Sequence, residues 1–448
     1  MLGIIGIILA IALFIFMAFK GVNLLVSAIT ATLVMILFNF PIASLYKVLA
    51  GTYVAKEGAA ATGFMTYMAG FIKSYFFLFV LSSLLGRIMA DGGAARRIAL
   101  ACSTLVDKAS DSNKKFVCAL LVPLLYAILS FVGISGFVIV FTVMPIAKDL
   151  FEKTDTPWAF YCFGGPQAVG VTALAASLQA GNIYASNVCG TSTTAAPVLS
   201  IVAYAAWIVA TLLVIKVMMK KAVARGETFL TDGAAVKAAA ASAQMADEDL
   251  PNIWLSIIPL LFVIVLSAGF KVEVVPALFF GCILAAIFFW KNLKKVWKST
   301  LANGVTSSFG SVFTVAATYA MGSVIRICPS FAIIQSALNA LPGLIGGSIL
   351  MLVMSFAMAS SSSTIAAFGS NILESFTGAG LSNAVAHRLM TIEGFTCMAP
   401  HNPGIANAMT VTKIAYKRCL KMYMAATFIP GLAAFIVAII LLAVGVRF

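Results

Sequence analysis

The sequence predicts an all-α polytopic membrane protein built as two inverted-topology repeats, and three observations carry that expectation. Of the 448 residues, 62% are hydrophobic and only 10% charged, against roughly 25% charged in soluble domains. Apolar runs long enough to cross a bilayer, about 18 residues or more, recur from Leu2 to Phe448 with no long polar domain between them. Finally, short motifs of the first half reappear in the same order in the second.

The first run, Leu2 to Met17, has no basic segment before it and no small-residue cleavage pattern after it, so it reads as a retained span and not a signal peptide. The net charge of +14 does not point to nucleic acid. Its basic residues sit in clusters beside apolar runs: Arg96, Arg97, Lys114 and Lys115; Lys291, Lys294, Lys295 and Lys298; Lys413, Lys417, Arg418 and Lys421. That is the pattern of cytoplasmic loops. The eight cysteines show no Cys-x-x-Cys pairing and read as small packing residues, with neither a disulfide framework nor a metal site.

One long hydrophilic stretch, Arg225 to Pro251, divides the chain. We read 1–221 as the first repeat, 222–251 as a cytoplasmic linker and 252–448 as the second repeat. Gly86 and its neighbours parallel the segment from Gly322, the sequence around Ser130 parallels that around Ser355, and Gly170-x-Thr172 matches Gly394-x-Thr396. Five crossings per half, an odd number, invert the second copy relative to the first. That count needs Phe116–Leu150 to enter and leave on one side as a hairpin, with Lys114, Lys115, Lys148 and Lys153 together, and Met351–Phe376 to do the same from the opposite face.

The second hairpin carries Ser360, Ser361, Ser362, Ser363 and Thr364 at its turn. Irregular backbone at membrane depth is tolerated only inside protein or beside water. Hydroxyls and helix N-termini at such a place offer donors and partial positive charge to an anion. Ser130, Gly133, Ser135 and Gly136 of the first hairpin, Gly170 and Thr172, and Gly394, Thr396 and Asn402 of the loosened helices complete the expected substrate site. The competing reading makes these hydroxyls a packing seam between helices. Ionisable groups in an apolar setting are functional candidates by default. Glu393 and His401 are therefore the candidates for a coupling proton, against a fixed ion pair of Glu393 with Arg388 or another basic residue and a hydrogen-bonded helix break at His401 imposed by Pro400 and Pro403.

Three segments, Gly92–Ala99, Gly133–Ala147 and Ser360–Ala367, resemble the gluconate permease family of the ion transporter superfamily. The resemblance implies proton-coupled uptake of small hydroxy-carboxylates across the inner membrane, substrate-binding hairpins, and a homodimer whose transport unit moves, elevator-like, against a fixed scaffold. Where the family pattern has His-Pro-Thr-Pro-Gly-Pro this chain has Phe163-Gly-Gly-Pro-Gln-Ala, and Phe-Asp is missing from its hairpin tip, so the carboxylate carried stays open. Sodium-coupled transport or exchange is the alternative, and a passive anion channel a weaker one. With two histidines, no catalytic constellation and no phosphate-binding Gly-rich loop with lysine, the sequence argues against an enzyme, a cofactor and direct ATP drive.

Overall fold

The computed structural model describes residues 2–54, 57, 59–110, 113–131, 133–239, 249–266, 270, 272–339 and 343–445. Among these the regular structure is helical, apart from one isolated antiparallel bridge between Tyr53 and Thr62. Six helical stretches are long and apolar enough to cross a membrane: Leu2–Phe19, Phe64–Asp91, Lys114–Phe131, Pro197–Ala224, Trp297–Ile327 and Tyr416–Ala443. Four shorter apolar helices, Leu24–Asn39, Ile253–Ile264, Val274–Phe288 and Gly343–Met358, accompany them. Large apolar side chains such as Leu9, Phe16, Leu213 and Ile287 lie exposed along these helices, as lipid-facing surfaces require.

The halves share an order of elements. The first opens with Leu2–Phe19 and Leu24–Asn39, continues through Phe64–Asp91 and Ala94–Val106, and forms a hairpin from Lys114–Phe131 and Gly136–Lys153. An interrupted helix spanning 158–189 and the long helix Pro197–Ala224 close it. The second half runs Ile253–Ile264, Val274–Phe288, Trp297–Val324, Pro329–Asn339 and then a hairpin from Gly343–Met358 and Ser361–Gly378. An interrupted helix spanning 383–412 and Tyr416–Ala443 follow.

Matching helices pack antiparallel. Thr300, at the start of Trp297–Val324, donates to Asp91 Oδ2 at the end of Phe64–Asp91 at 2.8 Å. Further along, the Ser83 and Ser307 hydroxyls meet at 2.8 Å. Near the start of Tyr416–Ala443, Arg418 pairs with Glu227 and Asp232, just beyond the end of Pro197–Ala224. The first half therefore sends its closing helix toward the face from which the second half's closing helix departs. Within the expected linker the structure forms a helix, Phe229–Ala239, docked through buried Phe229 and Val236, with the Phe229 ring edge-on to Trp158. The rest of that stretch, 240–248, lies outside the described residues.

Candidate functional site

Each hairpin turns where a helix must end and another begin. Lys114–Phe131 ends with Gly133 N–H on Ser130 O at 2.9 Å and Ile134 N–H on Leu129 O at 3.1 Å, the paired bonds of a Schellman end. Gly133 takes φ +90° there, and a Cβ on it would stand 3.1 Å from the Leu178 carbonyl oxygen. At the second turn the left-handed residue is Ala359, φ +48°. A side chain there is held against its own preference.

Each turn is fastened to the break in the interrupted helix that follows it. Leu178 N–H donates to Phe131 O at 2.9 Å, and the Gln179 amide donates to Ser130 O at 2.7 Å and Ile134 O at 3.0 Å. In the second half the Asn402 amide donates to Ala359 O at 2.8 Å and Cys397 O at 2.7 Å, while its Oδ1 caps Gly404 N–H. His401 joins this contact: its Nε2 lies 3.0 Å from Ala357 O. A carbonyl only accepts, so Nε2 carries the proton and the buried Nδ1, which has no partner, offers a lone pair.

The expected hydroxyls do not act alike. Ser360 caps its helix, accepting from Ser363 N–H at 3.2 Å while its hydroxyl reaches the Ser363 hydroxyl at 2.9 Å. Thr364 donates back to Ser360 O at 2.9 Å. These three are spent on the turn itself. Ser361 lies against the break of its own half, where a Cβ on Gly394 would stand 2.6 Å from the Ser361 Cβ and where Ser361 hydrogen-bonds Cys397. Ser362 lies toward Gly181, which in turn abuts the Thr172 methyl. Thr172 and Thr396 return their own hydroxyls to Ala168 O (3.2 Å) and Leu352 O (2.7 Å). In the first hairpin Ser135 caps Phe137 N–H at 3.4 Å, and the buried Ser130 hydroxyl has no partner.

Gly136, Ala180, Ser361 and Pro403 each open a helix at the turns and breaks. The Asn407 amide crosses from the second interrupted helix to Phe137 O at 3.1 Å in the first hairpin. Gly181 with Ser362 makes the reciprocal crossing. Four helix N-termini therefore gather where hydroxyls and unpartnered polar atoms lie, an electropositive lining made largely by backbone.

Glu393 is fully buried; its Oε1 accepts the Ser348 hydroxyl at 2.6 Å and its Oε2 has no partner. The alternative of an ion pair with Arg388 is overturned. Five residues of helix rotate the two side chains about 140° apart. Arg388 instead spends its guanidinium on neutral acceptors: Nε on Ala195 O (2.6 Å), Nη1 on Asn182 Oδ1 (3.0 Å) and Ala173 O (3.3 Å), and Nη2 on Thr193 O (2.6 Å).

His387 completes that cluster. Asn182 Nδ2 donates to Ser177 O and Thr193 O, which fixes Oδ1 as the acceptor of His387 Nε2 at 2.7 Å. His387 is thus protonated on Nε2 and takes the Thr191 hydroxyl on Nδ1 at 2.7 Å. Sequence reasoning missed Gln179, Asn182 and His387. No local signal marks Gln179, which makes no side-chain cap on the helix it precedes, whereas the rarity of buried ionisable side chains marks His387.

No family model matches the chain. It is 24% identical to an uncharacterised transporter, YxjC, of Bacillus subtilis (strain 168), over 96% of this chain and 97% of that one. Among solved structures it is similar to the YdaH transporter of Alcanivorax borkumensis, at 13% identity, covering 86% of this chain and 89% of that one, with a TM-score of 0.33, a likeness too slight to build on. The chain is a polytopic membrane protein, similar along nearly its whole length to a transporter.

Proposed function

We propose that this chain is a secondary active transporter for a small organic anion of the hydroxy-carboxylate class, taken up with protons across the inner membrane. Its two halves act as inverted repeats. The observation that carries this reading is the gathering of four helix N-termini, two hairpin turns and two helix breaks around Ser361 and Ser362, the two serines of the run that take no part in the turn's own hydrogen bonds. Backbone amides and hydroxyls of this kind hold a carboxylate without a buried counter-charge. The likeness to a transporter supports the class, and the family resemblance supports the substrate type.

Proton coupling is favoured over sodium by the state of the turn carbonyls. Unwound carbonyls at helix breaks are the usual cation ligands in such folds, but here Ser130 O, Ile134 O, Ala359 O and Cys397 O already accept from Gln179 and Asn402. Glu393, buried with an unpartnered Oε2 and, among the described residues, no basic side chain in ion-pair contact with it, is the proton carrier in this reading, and His401 is the second candidate. The hairpins and interrupted helices form the moving unit, and the long helices Phe64–Asp91 and Trp297–Val324 belong to a fixed scaffold within a homodimer.

The test is uptake of labelled short hydroxy-carboxylates into proteoliposomes holding the purified chain. Accumulation is expected under an inward proton gradient and not under a sodium gradient alone. Accumulation that follows sodium and ignores the proton gradient would overturn the coupling, and failure to take up or exchange any carboxylate would overturn the substrate class.

A further inference from the structure

Away from the hairpins, a cleft of about 630 Å³ opens on the flank of the molecule between Phe64–Asp91, Val274–Phe288 and the start of Trp297–Val324. Its walls are apolar throughout, with Leu84 and Ile88 on one side and Ile283 and Ile287 on the other. Ile283 and Ile287 are also exposed outward, so the cleft is continuous with the surface that faces lipid. At one end stand Trp290 and Trp297, packed edge to face with centroids 5.6 Å apart.

Between and beside these tryptophans lie Lys291, Lys294, Lys295 and Lys298, all exposed. Asp91, at the neighbouring helix end, is already engaged by Arg87 and Thr300. Asp249 reaches the same turn through its main-chain carbonyl, which accepts the Asn292 amide, and among the described residues that one acid leaves three of the four lysines in excess. Paired tryptophans mark the depth of lipid headgroups. A cluster of lysines at that depth attracts anionic lipid.

We propose that this cleft is a binding site for an anionic phospholipid, with one acyl chain between the three helices and the headgroup on the lysines beside Trp290 and Trp297. The cleft size falls within the range of about 300–1,000 Å³ usual for small-ligand sites. A second copy of the chain fits less well. A two-fold axis along the membrane normal brings each lysine cluster toward its own image, and like charges oppose that contact. This inference stands apart from the transport reading.

Tryptophan fluorescence tests it. The full chain carrying Trp254→Phe keeps Trp158 and Trp207, which are buried, beside the cleft pair. It is reconstituted in phosphatidylcholine vesicles containing a minor fraction of brominated phosphatidylglycerol or, in parallel, of brominated phosphatidylcholine. Quenching by the anionic lipid is expected to exceed that by the zwitterionic one several-fold, and the excess is expected to vanish when Lys291, Lys294 and Lys298 are all replaced by Gln. These lysines are solvent-facing, so the variant keeps its fold. Equal quenching by both lipids, or an excess that survives in the lysine variant, overturns the proposal. Efficient disulfide cross-linking of Ile283→Cys between two copies, with no lipid excess, overturns it in favour of a dimer contact.

Discussion

The two hairpin turns are made of the same parts, but among the described residues the buried ionisable side chains His387, Arg388, Glu393 and His401 near them all come from the second half's sequence. Both are clamped to a helix break by a side-chain amide, Gln179 in one and Asn402 in the other. Counting from the paired glycines Gly170 and Gly394, the positions of Arg388, Glu393 and His401 fall in the first half on Gly164, Val169 and Ser177. The difference teaches that two halves can share the arrangement of hairpin and helix break while the costly groups are carried by one of them. A buried carboxyl or guanidinium is expensive wherever it is placed, and a single asymmetric ligand needs only one set.

The largest effect separating the halves is expected at Glu393. Glu393→Gln preserves shape and removes the titrating group, so gradient-driven accumulation should fall to background while exchange of substrate across the membrane persists. Val169→Ala, at the matching place in the first half, should leave both processes near wild type. Accumulation unchanged in the glutamine variant, with the same pH profile, would transfer the proton to His401 or elsewhere.

Next come the hydroxyls. If Ser361 and Ser362 face the anion, alanine at either removes a hydrogen bond to a charged group, worth roughly 1.5–3 kcal/mol, or about tenfold or more in affinity. Ser363→Ala and Thr364→Ala touch only the turn's internal bonds and should shift affinity far less, lowering thermal stability slightly instead. Titration of substrate on purified protein distinguishes the pairs. Equal, small effects at all four positions would make the serine run a packing seam.

The turns themselves offer an opposed pair of substitutions. Gly133→Ala places a methyl on a left-handed backbone and within 3.1 Å of Leu178, and should cost about 1–2 kcal/mol of stability. Ala359→Gly relieves the same conformation and should be neutral or stabilising by up to about 1 kcal/mol. Thermal unfolding in detergent gives both signs. A loss on Ala359→Gly as large as that on Gly133→Ala would mean that the Ala359 methyl is packed and not strained.

Much of this was legible in the sequence. Hydropathy marks spans directly, because in lipid a helix must satisfy its own backbone, and the glycine pairs at 170 and 394 do mark helix breaks. The serine run announced a turn but not its division of labour: Ser360 and Ser363 cap one another while Ser361 and Ser362 face neighbours, and only helix phase and packing decide that. The failure of the alternative partner for Glu393 has the same origin. Proximity in sequence suggested Arg388, but rotation along the helix points it into the loop before Pro197, where carbonyls from distant residues take its donors. Gln179 bonds Ser130 and Ile134, 49 and 45 residues away, and Asn182 Oδ1 accepts from His387 and Arg388, 205 and 206 residues away, which no local pattern encodes.

The smallest effect concerns the face where the closing helices of the two halves meet. Burial works against the charge of Glu227, but Arg225, at 2.7 Å, and Arg418 outweigh it and hold its carboxyl below the usual range. For Asp232 burial outweighs the same Arg418 and holds the carboxyl above that range. A carboxyl lowered on folding adds stability that is fully present above its unfolded value, about 4.3 for Glu, and that is lost as pH falls through the lower folded value. Glu227→Gln should therefore cost up to about 1 kcal/mol at pH 7, and its deficit against wild type should shrink as the medium is acidified below that range. Asp232→Asn should cost less at pH 7, since the charge it removes is the one that burial opposes. Unfolding midpoints in detergent, measured at neutral and acid pH, check both; a Glu227→Gln deficit that stays constant on acidification would show that packing, not the paired charge, joins the two helices there.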